Sequence, residues 1–377
     1  LLILHTSDWH LGRAFKKVPL LDEQEKFIDE LIQVVKDRRV DLVVVAGDIF
    51  DRGLPPVEAV SLWKQALAGI VAAGAQVVAI SGNHDQGERI EMSPALTNPA
   101  VVVRGTREAS VTELAFDDGP LTVVTVPFLD PFMARSLSQS EGPATHQSVI
   151  EGALSTVTDE VAQSPRSLVV AHAFVTGGEG SESERSLVQV GGSDQVDKEV
   201  FAGYSYAALG HLHRPQEVGS PTVAYSGTPL PYSFSENHAK SMRLVTMSAT
   251  GEVTVETLPI KAGRPVVTLE GSFNEILTDG EYAKYENYFV RAKLSDPVMQ
   301  QAAMDKLRVR FKNILELEYL SLDTGKTTGL GPDDFENRPG VVVRTFWGDV
   351  TGDTPSPEVE ELLDAAVRVG FSGEGAV

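Results

Sequence analysis

The chain has no cysteine among its 377 residues. Disulfides and thiolate metal sites are therefore excluded, and any metal must be held by His, Asp, Glu or Asn. The absence also fits a cytoplasmic protein. No apolar run of about 18 residues or more occurs, so no membrane span is expected. No secretory leader is expected either, because "LLILHTSDWH" turns polar after its first four residues. The first residue is Leu, so the native start is expected outside this numbering. Positive charge is scarce: 32 Lys and Arg face 53 Asp and Glu, for a net charge of −21. Taken alone, such a balance argues against a nucleic-acid binder, since an acidic surface repels phosphate.

What is present begins with a core. Apolar residues make up 42% of a chain long enough for two domains and a short appendage. The first 110 residues alternate strand-like and helix-like segments. "LLILHTSD" reads as a strand. "DEQEKFIDELIQVVKDRR" carries Phe27, Leu31, Val34 and Val35 at helical spacing. "VDLVVVAGD" is a buried strand, and "PPVEAVSLWKQALAGIVAAG" opens on Pro and closes on Gly, as helices do. "AQVVAISG" is the next strand. This order predicts a mostly parallel sheet covered on both faces. Strand-like runs dominate from about 100 to 260, interrupted by "TGGEGSESERS", which is expected to be a mobile loop. "KAGRP" at 261–265 marks a boundary. The expected division is a main domain at 1–262, a small α+β unit at 263–347 and a tail at 348–377. In the tail, Ser356 is expected to cap one short helix, with Pro357 at its first position.

Polar groups recur where apolar strands end. Asp8 and His10 follow the first strand in "SDWHLG", and Asp48, Asp51 and Arg52 follow the second in "GDIFDRG". The third runs into "SGNHDQ", with Asn83, His84 and Asp85. Later, "LVVAHAF" places His172 at a strand end, and "YAALGHLHRP" places His211 and His213 at another. Ligands bind outside the carboxyl ends of parallel strands, so five strand ends are expected to meet on one rim. Asp8, Asp48, Asn83, His10, His172, His211 and His213 are too many for one ion. They suit two adjacent divalent cations sharing a carboxylate, which together clamp a phosphoryl centre. Carboxylates and imidazoles without sulfur fit Mn²⁺, Fe²⁺ or Zn²⁺ better than Mg²⁺ or Ca²⁺. Each motif alone also reads as an ordinary turn or Asp/Gly loop. Their order, each behind a strand, is what points to a metal centre. Asp85 either shapes its turn or orients a neighbour.

"SDWHLG", "GDIFD", "GNHD", "AH" and "GHLH" stand in the order of the calcineurin-like metallophosphoesterases, which the chain resembles. "ILHTSDWHLG", "GHLHRPQ" and "GTPLPYSFSE" (227–236) are similar to the SbcD family of nuclease subunits. The resemblance is strongest over 3–12, 44–53, 80–86 and 208–236. It implies an α/β fold, a metallophosphoesterase β-sandwich flanked by helices, with a small α+β capping domain. It assigns Asp8, His10 and His213 to one metal and Asn83, His172 and His211 to the other, with Asp48 bridging. Mn²⁺ is the cation it favours, with Mg²⁺, Fe²⁺ and Zn²⁺ as alternatives. His84 is implied to face the phosphate and to protonate or stabilise the leaving oxygen. Asp51 resembles the acid that orients this His, and Arg52 stands where related phosphatases hold a phosphate-contacting Arg. Some nucleases of the family carry a His at the position of Asp51.

The implied activity is 3′→5′ exonuclease action on double-stranded DNA and endonuclease action at hairpins, in DNA repair and recombination. The implied partners are DNA, an SbcC-type coiled-coil ATPase and a second copy of the chain, the last through helices near 55–73 and 86–97. Leu62, Leu67 and Ile70 suit either that dimer face or the core. Val359, Leu362, Leu363, Ala366 and Val367 form an apolar stripe that suits either the ATPase or the chain's own fold. No GxxxxGK[ST] loop occurs, so ATP hydrolysis is expected of the partner. Residues 264–347 hold 11 basic and 13 acidic side chains, nearly balanced on an acidic chain. Within them Arg291 and Lys293 share a strand face, while Lys306 with Arg310 and Arg308 with Lys312 share helix faces. These suit phosphate contact or plain solvation. The rival reading is a phosphatase or cyclic-nucleotide phosphodiesterase, which the acidic charge slightly favours and the extra unit and the tail disfavour. A scaffold with an idle metal site is a further rival, against which the complete ligand set argues.

Overall fold

The computed structural model describes residues 1–91, 98–106, 108–139, 141–184, 195–320, 338–351 and 353–371. Two compact units are formed, residues 1–266 and 267–377. The segments 263–347 and 348–377, set apart by the sequence reading, fall mainly in the second unit.

In chain order the strands of the first unit are β1 (Leu2–Thr6), β2 (Leu42–Ala46), β3 (Gln76–Ile80), β4 (Val101–Arg104), β5 (Ser110–Phe116), β6 (Gly119–Val126), β7 (Ser167–His172), β8 (Tyr206–Gly210), β9 (Gln216–Glu217), β10 (Val223–Tyr225), β11 (Ser241–Met247) and β12 (Val253–Pro259). One sheet runs β12-β11-β1-β2-β3-β4 and the other β9-β10-β8-β7-β6-β5. β1 to β4 are mutually parallel, as are β6, β7, β8 and β10; the outer strands are antiparallel.

Period-two alternation explains why the strands read as unbroken apolar runs. In the first sheet Leu4, Val43, Val45, Val77 and Ala79 pack towards helices α1 (Leu21–Arg38) and α2 (Val57–Ala72). Their neighbours Ile3, Leu42, Val44, Ala46, Val78 and Ile80 meet Leu121, Val123, Leu168, Val170 and Ala208 of the second sheet. The first sheet is thus covered on both faces, by helices on one side and by a sheet on the other. The other face of the second sheet packs on Val149, Ile150 and Ala153 of α3 (His146–Ser155). A reciprocal Thr145/Ser148 capping box starts that helix, which the sequence reading passed over along with β5. Leu62, Leu67 and Ile70 lie in the intradomain core. Of the expected dimer segment 86–97, residues 92–97 lie outside those described.

The second unit contains a three-stranded sheet of β13 (Val266–Gly271), β14 (Phe289–Leu294) and β15 (Ile314–Tyr319). Leu269, Ile276, Val290, Ala292, Leu294, Leu307, Phe311 and Ile314 form its core. Residues 321–337 of the expected capping unit are not among those described. Instead of a tail with one helix there are two, Pro339–Thr351 and Pro357–Phe371. The reading missed the first because it cut at 348, inside that helix. The second starts as expected, with Val359 N donating to Ser356 Oγ at 3.4 Å. Of the apolar stripe, Val359, Leu363 and Val367 are half-buried, while Leu362 is 69% exposed. Among the described residues no helix is long and apolar enough to cross a membrane.

Candidate metal centre

The parallel strands β1, β2, β3, β7 and β8 bring their carboxyl ends to one place. Backbone bonds fasten the loops behind them. Asp8 N donates to Gly47 O at 3.0 Å and His10 N to Asp48 O at 2.9 Å. Between those two ligands, fully buried Trp9 packs edge-on against Phe27 and Trp63, with centroids 5.6 and 5.5 Å away. Such pairs contribute about 0.5–1.5 kcal/mol each beyond burial, so the core side of this loop anchors its polar side. The Asp85 carboxylate accepts from Ile49 N (3.0 Å), Phe50 N (2.9 Å) and Gly82 N (2.9 Å). It ties the loop after β2 to the loop after β3, which answers the question left open for Asp85. Asp8, His10, Asp48 and His211 have φ of 54°, 44°, 50° and 110°. Strain of this kind persists only where the surroundings impose it, and it clusters at functional sites.

The seven expected ligands converge. His10 Nε2 and His213 Nε2 are 3.2 Å apart, and ligand atoms of Asp8, His10 and His213 lie within 4.8 Å of one another. On the other side His172 Nε2 and His211 Nδ1 approach Asn83 Oδ1 at 3.0 and 3.3 Å. Asp48 Oδ2 stands between the two sets, 3.6 Å from both His10 Nε2 and His172 Nε2. Asp8 accepts the His211 main-chain N–H at 3.0 Å, so one candidate ligand orients the backbone of another.

The electrostatics fit divalent cations. Asp8 and Asp48 are buried, and among the described residues neither has a Lys or Arg ion-pair partner. Burial, then the charge of Asp48, pushes the Asp8 carboxyl well above its ordinary range. Burial drives His10, His172 and His211 below the usual imidazole value, and neighbouring imidazoles add to this. Asp85 is pushed up to about 7 by burial and by Asp48, against the pull of its three backbone donors. His172 Nδ1 donates to Ala46 O at 2.9 Å, which leaves its Nε2 bare. That nitrogen and Asn83 Oδ1 are then two acceptors 3.0 Å apart. A set of acceptors crowded in this way is what a cation satisfies. Asp8, His10, His213, Asp48, Asn83, His172 and His211 could therefore hold a divalent metal pair, and ligand atoms of His10, Asp48 and His84 also lie within 4.8 Å of one another.

His84 sits beside this cluster, its ring centroid 4.7 Å from that of His10. Its Nδ1 donates to the Asp51 main-chain oxygen at 2.8 Å. Asp51 thus holds His84 through its backbone, while its carboxylate faces Arg13 at 3.6 Å. Sequence reasoning had considered only the side chain. Arg52 is exposed and lines a cavity of about 470 Å³ with Arg13, Asp51 and His84. Arg13 was missed; its guanidinium lies 4.8 Å over the Tyr232 ring. On the Asn83 side a second cavity of about 500 Å³ includes Asp85, Phe128, Asp130 and Met133. A larger one, about 730 Å³, lies at α3 and residues 197–204 and contains none of the candidates.

Several basic side chains of the second unit are engaged within it. Arg310 pairs with Glu286 and donates to the carbonyls of Ile276 and Asp279. Arg291 and Lys293 face Glu318 at 4.0 and 3.8 Å, and Arg308 pairs with Asp305. Lys306 lies 5.7 Å over the Phe273 ring.

Several solved structures are distantly similar to the chain. TT1561 of Thermus thermophilus is 11% identical, with a TM-score of 0.38 over 68% of this chain and 98% of that one. The calcineurin-like phosphoesterase YfkN from Bacillus subtilis is 15% identical, with a TM-score of 0.38 over 69% and 90%. A dimetal phosphatase from Danio rerio is 11% identical, with a TM-score of 0.42 over 70% and 97%. The Calcineurin-like phosphoesterase profile matches residues 1–215, more than half of the sequence and all seven expected ligands. This chain belongs to the calcineurin-like phosphoesterase family.

Proposed function

We propose that this protein hydrolyses phosphodiesters of DNA as the nuclease subunit of an SbcCD-type complex. The observation that carries the chemistry is the place of Asp48 Oδ2, 3.6 Å from an imidazole of each ligand set. Two divalent cations, Mn²⁺ foremost, supply a nucleophile near neutral pH and offset phosphoryl charge when bound at such a centre. Asp8, His10 and His213 would hold one, Asn83, His172 and His211 the other, and Asp48 would serve both. His84 keeps its Nδ1 proton on Asp51 O, which leaves Nε2 to hold or release a proton at the departing oxygen. Arg52 and Arg13 stand by for a phosphate oxygen.

DNA as the substrate is supported by the motifs at 3–12 and 208–236 and by the additional unit after residue 266. Action on duplex ends and hairpins, and assembly with a coiled-coil ATPase and a second copy of the chain, follow from the same motifs. Contacts to DNA backbone carry no base information, so cleavage should show little sequence preference and binding should weaken steeply with salt. A second reading, hydrolysis of a small phosphoester, is favoured by the net charge of −21 and by the internal pairing of the basic residues after 266. One assay separates them: plasmid DNA, hairpin DNA and p-nitrophenyl phosphate, each with Mn²⁺, with and without the ATPase. Cleavage of the small ester alone would transfer the assignment to the second reading.

A further inference from the structure

We infer that Ser183 and Glu236 are positioning residues that decide which nitrogen His213 presents to the metal centre; the inference rests on the two-cation reading above. The two residues come from stretches given no role in the chemistry, the Gly/Ser/Glu-rich "TGGEGSESERS" and the end of "GTPLPYSFSE". Both meet His213. Ser183 Oγ lies 2.6 Å from His213 Nδ1 and bonds Glu236 Oε1, which is itself 3.4 Å from Nδ1.

The direction of these bonds follows from what each group is able to do. An ionised carboxylate only accepts. Glu236 is fully buried, with Lys240 Nζ on Oε2, Thr228 Oγ1 on the same oxygen at 2.9 Å and Tyr232 N on Oε1 at 3.2 Å. Ser183 therefore gives its only proton to Glu236, and its oxygen accepts from His213. His213 then carries its proton on Nδ1, and Nε2 is the bare nitrogen, 3.2 Å from His10 Nε2. Metal-binding imidazoles are oriented in this way by a partner on the second ring nitrogen. Glu184 completes the hold by accepting the His213 main-chain N–H at 2.8 Å. Arg13 Nη2 donates to Ser183 O at 3.2 Å, which fixes the serine from its other side.

The test is metal binding by the whole chain, without substrate. Metal-free wild type, Ser183→Ala, Ser183→Thr and Glu236→Gln are titrated with Mn²⁺, and bound and free ions are counted by electron paramagnetic resonance. Circular dichroism reports folding in parallel. The wild type should take two ions with the spectrum of a coupled pair. Ser183→Ala should keep one site and weaken the other by about 10- to 100-fold, losing the coupled signal, and Ser183→Thr, which retains the hydroxyl, should restore it. Glu236→Gln should act like Ser183→Ala. If it fails to fold because Lys240 loses its buried partner, Ser183→Ala decides alone, since it leaves that pair intact. Two wild-type sites in a folded Ser183→Ala protein would overturn the inference and leave the dinuclear reading standing. A wild type that takes fewer than two ions would sink the dinuclear reading and this assignment with it.

Discussion

His172 and His213 deliver imidazoles to one centre but are held by different means. His172 is the last residue of β7, and its Nδ1 donates to the main-chain oxygen of Ala46 on β2. Its anchor is a peptide group, which no substitution removes. His213 lies beyond the end of β8 and leans on side chains, Ser183 Oγ and the buried Glu236. The contrast follows from position. Inside the sandwich the two sheets press backbone against ring. At the rim, past the strand end, the hold on the His213 ring comes from loop side chains instead. The His172 side should therefore be sensitive to backbone crowding, and the His213 side to loss of single polar atoms.

The largest effect should come from the residue common to both sides. Asp48→Asn should remove both Mn²⁺ ions and reduce turnover to background; loss of a single ion in a titration would contradict the shared role. His84→Ala should lower turnover by about 10²–10⁴-fold, the usual range for a general acid or base, with ion stoichiometry intact. Near wild-type hydrolysis would remove His84 from the mechanism. Gly47→Ala tests the crowded side. Gly47 has a φ of 90°, and a Cβ there would run into the His172 ring. This variant should weaken the ion bound by Asn83, His172 and His211, the opposite one to that weakened by Ser183→Ala. Identical losses in the two variants would erase the distinction between the sides.

The smallest effect concerns an imidazole outside the centre. His5 is buried on β1, with Nε2 donating to Leu209 O at 3.1 Å and Nδ1 accepting from Tyr206 OH at 3.0 Å. Burial, then the charge of Arg243, lowers its pKa to about 3. The unfolded chain takes up a proton near pH 6.5 while the folded one does not. Stability from this group is therefore full above 6.5 and is lost as pH falls towards 3, by up to about 1.4 kcal/mol per pH unit. His5→Gln should flatten the fall of thermal midpoint between pH 6 and 4. An unchanged slope would show that other groups set acid sensitivity.

Much of this was legible without coordinates. Apolar strands ending in "SDWH", "GDIFD", "GNHD", "AH" and "GHLH" announce themselves, because parallel pairing brings carboxyl ends together and few residue types serve as metal ligands without sulfur. The second sheet against the first was harder to see. Ile3 and Leu4 look alike in a run of apolar letters, yet one meets the other sheet and the other meets helices. The helices at 146–155 and 339–351 were missed; the second runs across the place where the sequence was cut. The basic residues at 291–312 suited phosphate contact or solvation, and the fold gives Arg291, Lys293, Arg308 and Arg310 internal carboxylates or carbonyls.

The sequence by itself determined which atoms are available to the centre: the ligand types, their order and their place behind strands, all local properties of short stretches. Tertiary structure alone decided the protonation and aim of those atoms. Asp51 turned out to act through its peptide oxygen, and Ser183 reached His213 and Glu236 across 30 and 53 residues of chain. The reason is physical. A ligand's identity resides in its own side chain, whereas the direction of a hydrogen bond depends on which distant acceptor the fold brings within about 3 Å.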